Sequence, residues 1–169
     1  DAAAKRIQDG ELAAVLEAEV RLRRTIGYVY YEIAEYDAAG NMLGPAVELA
    51  QRVHGHESAE YAGALYKHAW WMQETGRLAE ALPKLEEALA IRQRLFPGDH
   101  PDVAGNLTDV AWCLNLLGRF LEALPKEQEA LAMRQRLFPG DHPDVADSLT
   151  NLASCLGGVA RSDKALPKE

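Results

Sequence analysis

From Val103 the apolar positions Leu107, Val110, Ala111, Leu114 and Leu117 follow steps of three and four residues. After a break at Gly118 the stepping resumes through Phe120, Leu121, Leu124, Leu131 and Met133. Such steps place side chains on one face of an α-helix, so this stretch predicts two amphipathic helices joined at the glycine. Pro101 suits the first position of a helix, with Asp102 favourably placed against the helix dipole, and Pro97-Gly98 and Pro139-Gly140 stop the helices that precede them. The same reading predicts helices over residues 36–54, 58–75, 78–96, 101–117, 120–138 and 143–157. The helix before these covers residues 17–34, with a start as early as Glu11, because no proline stops it there. Residues 1–8 read as the tail of a preceding helix that Asp9-Gly10 closes, which implies an array continuing beyond this chain. Pro83, Pro125 and Pro167 are expected in the first turn of a second helix, and Ala165 is expected to open a further one.

The pattern is a repeat. ALPK followed by RQRLFPGDHPDVA spans residues 81–104 and returns nearly letter for letter at 123–146, a period of 42, and ALPK begins again at Ala165. Weaker copies in the same register lie at 46–62 and 4–20. A fixed period of this length denotes stacked supersecondary units, each burying a face against the next. Residues 1–169 therefore form one array: 1–10 the end of a preceding unit, 11–57 the first repeat, 58–100 the second, 101–142 the third and 143–169 a truncated fourth. The fold class is all-α, a solenoid of helix-turn-helix units.

Hydrophobic residues make up 48% and charged residues 26%, enough apolar material for a folded core. With 18 basic against 26 acidic residues the formal charge is −8, which disfavours nucleic acid and anionic membranes as partners. No apolar run reaches the length of a membrane span, and the first ten residues lack the character of a signal peptide, so a cytoplasmic location is expected. Cys113 and Cys155 lie one period apart. They would sit on equivalent helices with axes roughly 8–10 Å apart, too far to bridge easily, and read as small buried hydrophobes rather than a metal or redox pair.

Chemistry is sparse. The chain has no GxGxxG, P-loop, GxSxG or HExxH motif, so no enzyme activity and no cofactor are expected. His100 and His142 recur in GDHPD and read as packing and capping their loops; His54 and His56 read as solvated loop residues, with a weak surface metal site as the alternative. Arg52, Arg94 and Arg136, like Lys84, Lys126 and Lys168, repeat with the period and predict a solvated convex face, the alternative being a patch for an acidic partner.

Gly27, Ala69, Ala111 and Ala153 form a column of small residues, preceded by Leu65, Leu107 and Leu149 in the last three units. With Gly76 and Gly118 at the turns, Tyr36, Leu78 and Phe120 after them, and Ala39, Ala81 and Ala123 beyond, this pattern resembles the tetratricopeptide repeat. The resemblance is to the 42-residue variety of kinesin light chains and bacterial signalling proteins such as Ser/Thr kinases, although no kinase motif is present. It implies a right-handed superhelix of about four repeats acting as a non-catalytic protein-interaction scaffold. The chain departs from the pattern at Arg23, where a large apolar residue is usual, at Ala34 and Ala160 in place of the turn glycine, and at Ser162 in place of an aromatic.

In that register the first helix of each repeat lines a concave groove. The residues expected there are Arg21, Arg24, Tyr28 and Tyr31, then Tyr66, Trp70 and Gln73, then Thr108, Trp112 and Asn115, with Tyr28, Trp70 and Trp112 in a row. The clamp that chaperone-tail binders use for a terminal carboxylate pair would fall on Arg24, Tyr28, Lys67, Gly105 and Asp109. Only Arg24 is comparable, so that clamp is absent. The expected partner is a protein or an extended peptide bearing an aromatic residue, with packing as the competing role for the tryptophans. The alternative function is oligomerisation, by end-to-end stacking through exposed terminal helices.

Overall fold

The computed structural model describes the backbone of residues 2–165 and the side chains of residues 12–161. The described residues form seven α-helices and no strand: α1 (Ala2–Glu32), α2 (Tyr36–His54), α3 (Ala59–Glu74), α4 (Leu78–Leu95), α5 (Pro101–Leu116), α6 (Phe120–Leu137) and α7 (Pro143–Ala165). Each helix packs on the next in the chain. The first helices of successive units also touch, α1 with α3, α3 with α5 and α5 with α7, whereas no such contact joins α2 to α4 or α4 to α6. First helices therefore line the inside of the curve and second helices the outside.

Close helix crossings explain the small residues. A Cβ on Gly27 would stand 2.7 Å from Leu43 Cγ, and Ala69 and Ala111, its equivalents, are fully buried. Within a unit the turn needs a left-handed residue, supplied by Gly76 (φ 80°) and Gly118 (φ 75°) and in the first unit by Ala34 (φ 63°). Between units His100 Nδ1 accepts from Asp102 N at 3.1 Å while its ring stacks on Phe96 at 3.9 Å; His142 does the same with Asp144 N and Phe138. These histidines cap and pack their loops, as their sequence setting implies. Ser58 holds the equivalent position in the loop before α3, its hydroxyl accepting from Tyr61 N.

Three expectations are corrected. Residues 2–10 are not the tail of a separate helix: α1 runs unbroken through Asp9-Gly10 for 31 residues. A glycine inside a helix costs only about 1 kcal/mol, and without a following proline good helix formers on both sides carry it through. At the other end α7 extends past 157 to Ala165, so Ala165 lies within α7 and does not open a separate helix. With Ala160 in place of the turn glycine, nothing there favours leaving the helix. Pro83 and Pro125 lie inside α4 and α6 beyond the first turn, each withholding one backbone donor from its helix. Pro167 and Lys168 lie outside the described residues.

The arginine column is also more than a solvated face. Arg94 makes a two-pronged ion pair with Glu57, both contacts 2.9 Å, and Arg136 does so with Asp99, both 2.7 Å. Each tethers a second helix to the loop one unit earlier. Arg52 is exposed. Cys113 and Cys155 are free and buried.

Candidate interaction groove

The inner surface is unequal along its length. At the end formed by α1 and α3, Arg21, Arg24, Thr25, Tyr28 and Lys67 line a cavity of about 430 Å³. Its three cations face no acidic lining residue, in a chain whose overall charge is −8. Gly63 lets Arg24 lie close against α3; a Cβ there would stand 3.2 Å from the guanidinium. The guanidinium is partly stripped of water, which pushes its pKa down, partly countered by Glu60, and its Nε is buried with no partner. Burial lowers the Lys67 pKa too, and the neighbouring Arg24 charge adds to the effect, partly countered by Asp109. Two crowded, under-solvated cations favour the arrival of an anion.

An aromatic cluster adjoins this cavity. The Trp70 ring lies 5.9 Å from Tyr28 and 4.3 Å, edge-on, from Tyr31, and Tyr31 is 5.7 Å from Tyr36. The Lys67 ammonium stands over Tyr28 at 5.0 Å, Trp70 at 5.5 Å and Tyr66 at 5.8 Å. The Tyr31 hydroxyl donates to Glu74 at 3.3 Å, which fixes one edge of the cluster. Tyr28 is 41% exposed and Trp70 half-buried, so the cluster offers open ring surface. Trp71, next in sequence, is buried against α2, its Nε1 donating to the Tyr36 carbonyl at 3.0 Å. Of the two adjacent tryptophans one belongs to the inter-unit core and the other to the groove.

Further along, the groove side chains turn inward. Tyr66 is held against the Arg92 guanidinium at 4.4 Å and lies near the Asp109 carboxyl, whose pKa burial raises. Thr108 lies beside the carboxyl of Glu127, itself buried and pushed up by burial. Asn115 donates to Cys155 Sγ at 2.9 Å and so joins α5 to α7. Gln73 is buried and does not line the groove. It stands four residues after the buried Ala69, on the face that turns into the core. Trp112 is 42% exposed on α5. The structure thus gathers Arg21, Arg24, Tyr28, Tyr31 and Trp70 around one site, leaves Trp112 apart from that ring cluster, and uses Tyr66, Thr108 and Asn115 within the scaffold.

Sequence reasoning missed Thr25 and undervalued Lys67, which it weighed only as a clamp position. The signal was in the spacing, since Lys67 follows Gly63 by four residues and precedes Trp70 by three, both on the groove face. Among the described residues no group of His, Cys, Asp and Glu side chains could hold a metal ion, and no helix is long and apolar enough to cross a membrane.

A curved array of paired helices with small residues at each crossing is the architecture of a helical-repeat protein. The tetratricopeptide repeat model matches residues 18–94, 71–136 and 102–167, and the chain belongs to that family. BtubC (BKLC) from P. vanneervenii superimposes with a TM-score of 0.77 at 20% identity over 86% of this chain, which spans 58% of BtubC. A putative kinesin light chain of Podosopora anserina with nearly identical TPR-like repeats gives 0.71 at 18% identity, covering 95% of this chain and 83% of that one. The TPR2B-domain:pHsp70 complex of yeast Sti1 gives 0.63 at 11% identity, covering 83% and 98%. A search of curated proteins finds no significant match. Tetratricopeptide repeats generally mediate protein–protein interaction and are typically non-catalytic scaffolds.

Proposed function

We propose that this chain is a non-catalytic scaffold whose concave groove, at the end built by α1 and α3, binds an extended peptide. An acidic side chain of the peptide occupies the cavity between Arg21, Arg24 and Lys67, and a neighbouring aromatic side chain packs on Tyr28 and Trp70. The observation that carries this reading is the cationic cavity itself. In a chain of charge −8, three basic side chains converge without an acidic lining residue, two of them incompletely solvated, beside exposed aromatic surface. Aromatic and arginine side chains are the groups that dominate the energy of protein recognition. A cytoplasmic setting and a signalling parent suit this role.

Selection from a random peptide library displayed on phage tests the reading. Enrichment of sequences carrying Asp or Glu within a few residues of Trp, Tyr or Phe is the expected result. Enrichment of basic or purely aliphatic sequences would contradict it. Selection against an Arg24→Glu chain should lose the acidic preference while keeping the aromatic one.

A further inference from the structure

The cationic cavity and the aromatic cluster are not two sites side by side, because Lys67 belongs to both. Its ammonium stands 5.0 Å from the centre of the Tyr28 ring and 5.5 Å from that of Trp70, and it lines one cavity with Arg21 and Arg24. Tyr28 lines that cavity too. The Tyr28 and Trp70 rings touch each other, 5.9 Å apart and tilted by 33°, so they present one apolar wall with no slot between them. The lining residues come from the first helices of two successive units, α1 and α3, so the cavity lies between units.

Two residues of an extended peptide fit so compact a site poorly. Adjacent side chains point to opposite faces of the strand, and those on one face recur about 7 Å apart. Lys67 is nearer than that to each ring. The carboxylate of an Asp or Glu would also leave most of a 430 Å³ cavity empty. Charge points the same way. Arg24 Nε is buried without a partner, and Glu60 and Asp109, which offset part of the charge on Arg24 and Lys67, line no part of the cavity. A carboxylate brings one negative charge to three cations. A phosphate monoester brings nearly two at neutral pH, with three acceptor oxygens that suit guanidinium forks.

We propose that the residue this groove reads is phosphotyrosine, one side chain whose phosphate sits among Arg21, Arg24 and Lys67 while its ring packs on Tyr28 and Trp70. The inference rests on the peptide-binding reading and narrows it, placing the acidic group and the aromatic ring on a single residue. It also makes capture conditional. An unmodified tyrosine offers the ring but leaves the three cations without a counter-charge, so the partner is held once it is phosphorylated and released when the phosphate is removed.

Fluorescence anisotropy with four labelled peptides of one backbone sequence tests it. One carries phosphotyrosine, one tyrosine, and two carry a tryptophan two residues from either glutamate or phosphoserine. The phosphotyrosine peptide should bind at least about tenfold more tightly than each of the others. Equal binding of the tyrosine peptide would overturn the proposal. So would equal binding of the phosphoserine peptide, which supplies the same phosphate and a ring on separate residues. Free phenyl phosphate should compete at least about tenfold more weakly than the unlabelled phosphotyrosine peptide; equal potency would make a small aryl phosphate the ligand and overturn the peptide assignment. Arg24→Gln combined with Lys67→Gln should abolish the preference for phosphotyrosine over tyrosine, with circular dichroism confirming the helices. Arg21→Gln, at an exposed position, serves if the double change disturbs them. A preference that survives in a folded variant overturns the proposal. Tight binding of the glutamate peptide with no gain from phosphotyrosine would sink this inference and leave the groove reading standing, whereas failure of all four peptides to bind would contradict both.

Discussion

The joint between α2 and α3 and the joint between α4 and α5 have the same place in the repeat and opposite chemistry. At the first, Ala50 and Ala64 are fully buried, and the Trp71 ring fills the space left by Gly40. At the second the equivalent positions hold Arg92 and Asn106, both buried, with Arg92 donating to Asn106 Oδ1 and to the Asp102 carbonyl at 3.3 Å. The joint between α6 and α7 repeats the polar version, Arg134 donating to Ser148 and to the Asp144 carbonyl. It adds the buried Glu127 where earlier units place Leu43 and Leu85. Where the joint is apolar, Arg21, Arg24 and Lys67 line an open cavity on the inner surface. Where it is polar, Thr108, Asp109 and Asn115 are drawn into the scaffold. One backbone geometry thus yields the half proposed to bind a peptide and a half whose inner polar groups serve the scaffold.

The comparison breaks most visibly at Asn106. Asn106→Ala removes its bond to Leu85 and leaves Arg92 buried without that partner, and should cost about 3 kcal/mol in a denaturant melt. The α2–α3 joint has no equivalent pair to lose, and its sensitivity is steric. A Cβ on Gly40 would stand 2.5 Å from the Trp71 ring, so Gly40→Ala should destabilise by about 2 kcal/mol, overpacking outweighing the better helix propensity. A midpoint unchanged by Gly40→Ala would show that this joint is loose. The smallest backbone effect is a gain. Ala34 holds a left-handed conformation that glycine adopts without strain, so Ala34→Gly should stabilise by about 1 kcal/mol in the same assay.

Acid should pull the two kinds of joint in opposite directions. His68, in the α2–α3 joint, is pushed down to about 4 by burial, with Lys84 and Arg77 adding to the effect. The unfolded chain takes up its proton first, so the stability His68 contributes while neutral is lost as pH falls from about 6.5 toward about 4. Glu127 is raised by burial, so the folded chain holds its proton more readily. Its contribution increases as pH falls through the raised value toward the ordinary carboxylate range. Hydrogen exchange at pH 5 against pH 7, corrected for intrinsic rates, should show α2–α3 less protected and α6–α7 more protected. Glu127→Gln should remove the second change and spare the first.

The sequence made the scaffold legible because breakers and small residues carry it. Pro97-Gly98, Gly118 and Pro139-Gly140 end elements whatever lies around them, and the bounds of α2 follow directly from the periodic register. At the two ends the signals were weak. A lone glycine at position 10 and an alanine at 160 left helix continuation to local propensity, and α1 and α7 run on. The groove was legible by face but not by partner. Helical spacing put Asn115 at its edge, yet the sequence gives no measure of how near Cys155 comes. Likewise nothing in the letters says that Arg24 and Lys67, on different helices, line one cavity with Arg21.

The central claim is that the cationic end of the groove reads an acidic peptide, and a charge exchange tests it most directly. Fluorescence anisotropy would follow two labelled peptides that share a tryptophan, one carrying glutamates beside it and the other lysines. Wild type should bind the glutamate peptide at least about tenfold more tightly, equivalent to about 1.4 kcal/mol. Arg24→Glu combined with Lys67→Glu should reverse that order, with the helical signal unchanged. Equal binding of both peptides by wild type, or an order that the double substitution leaves unaltered, would contradict the claim.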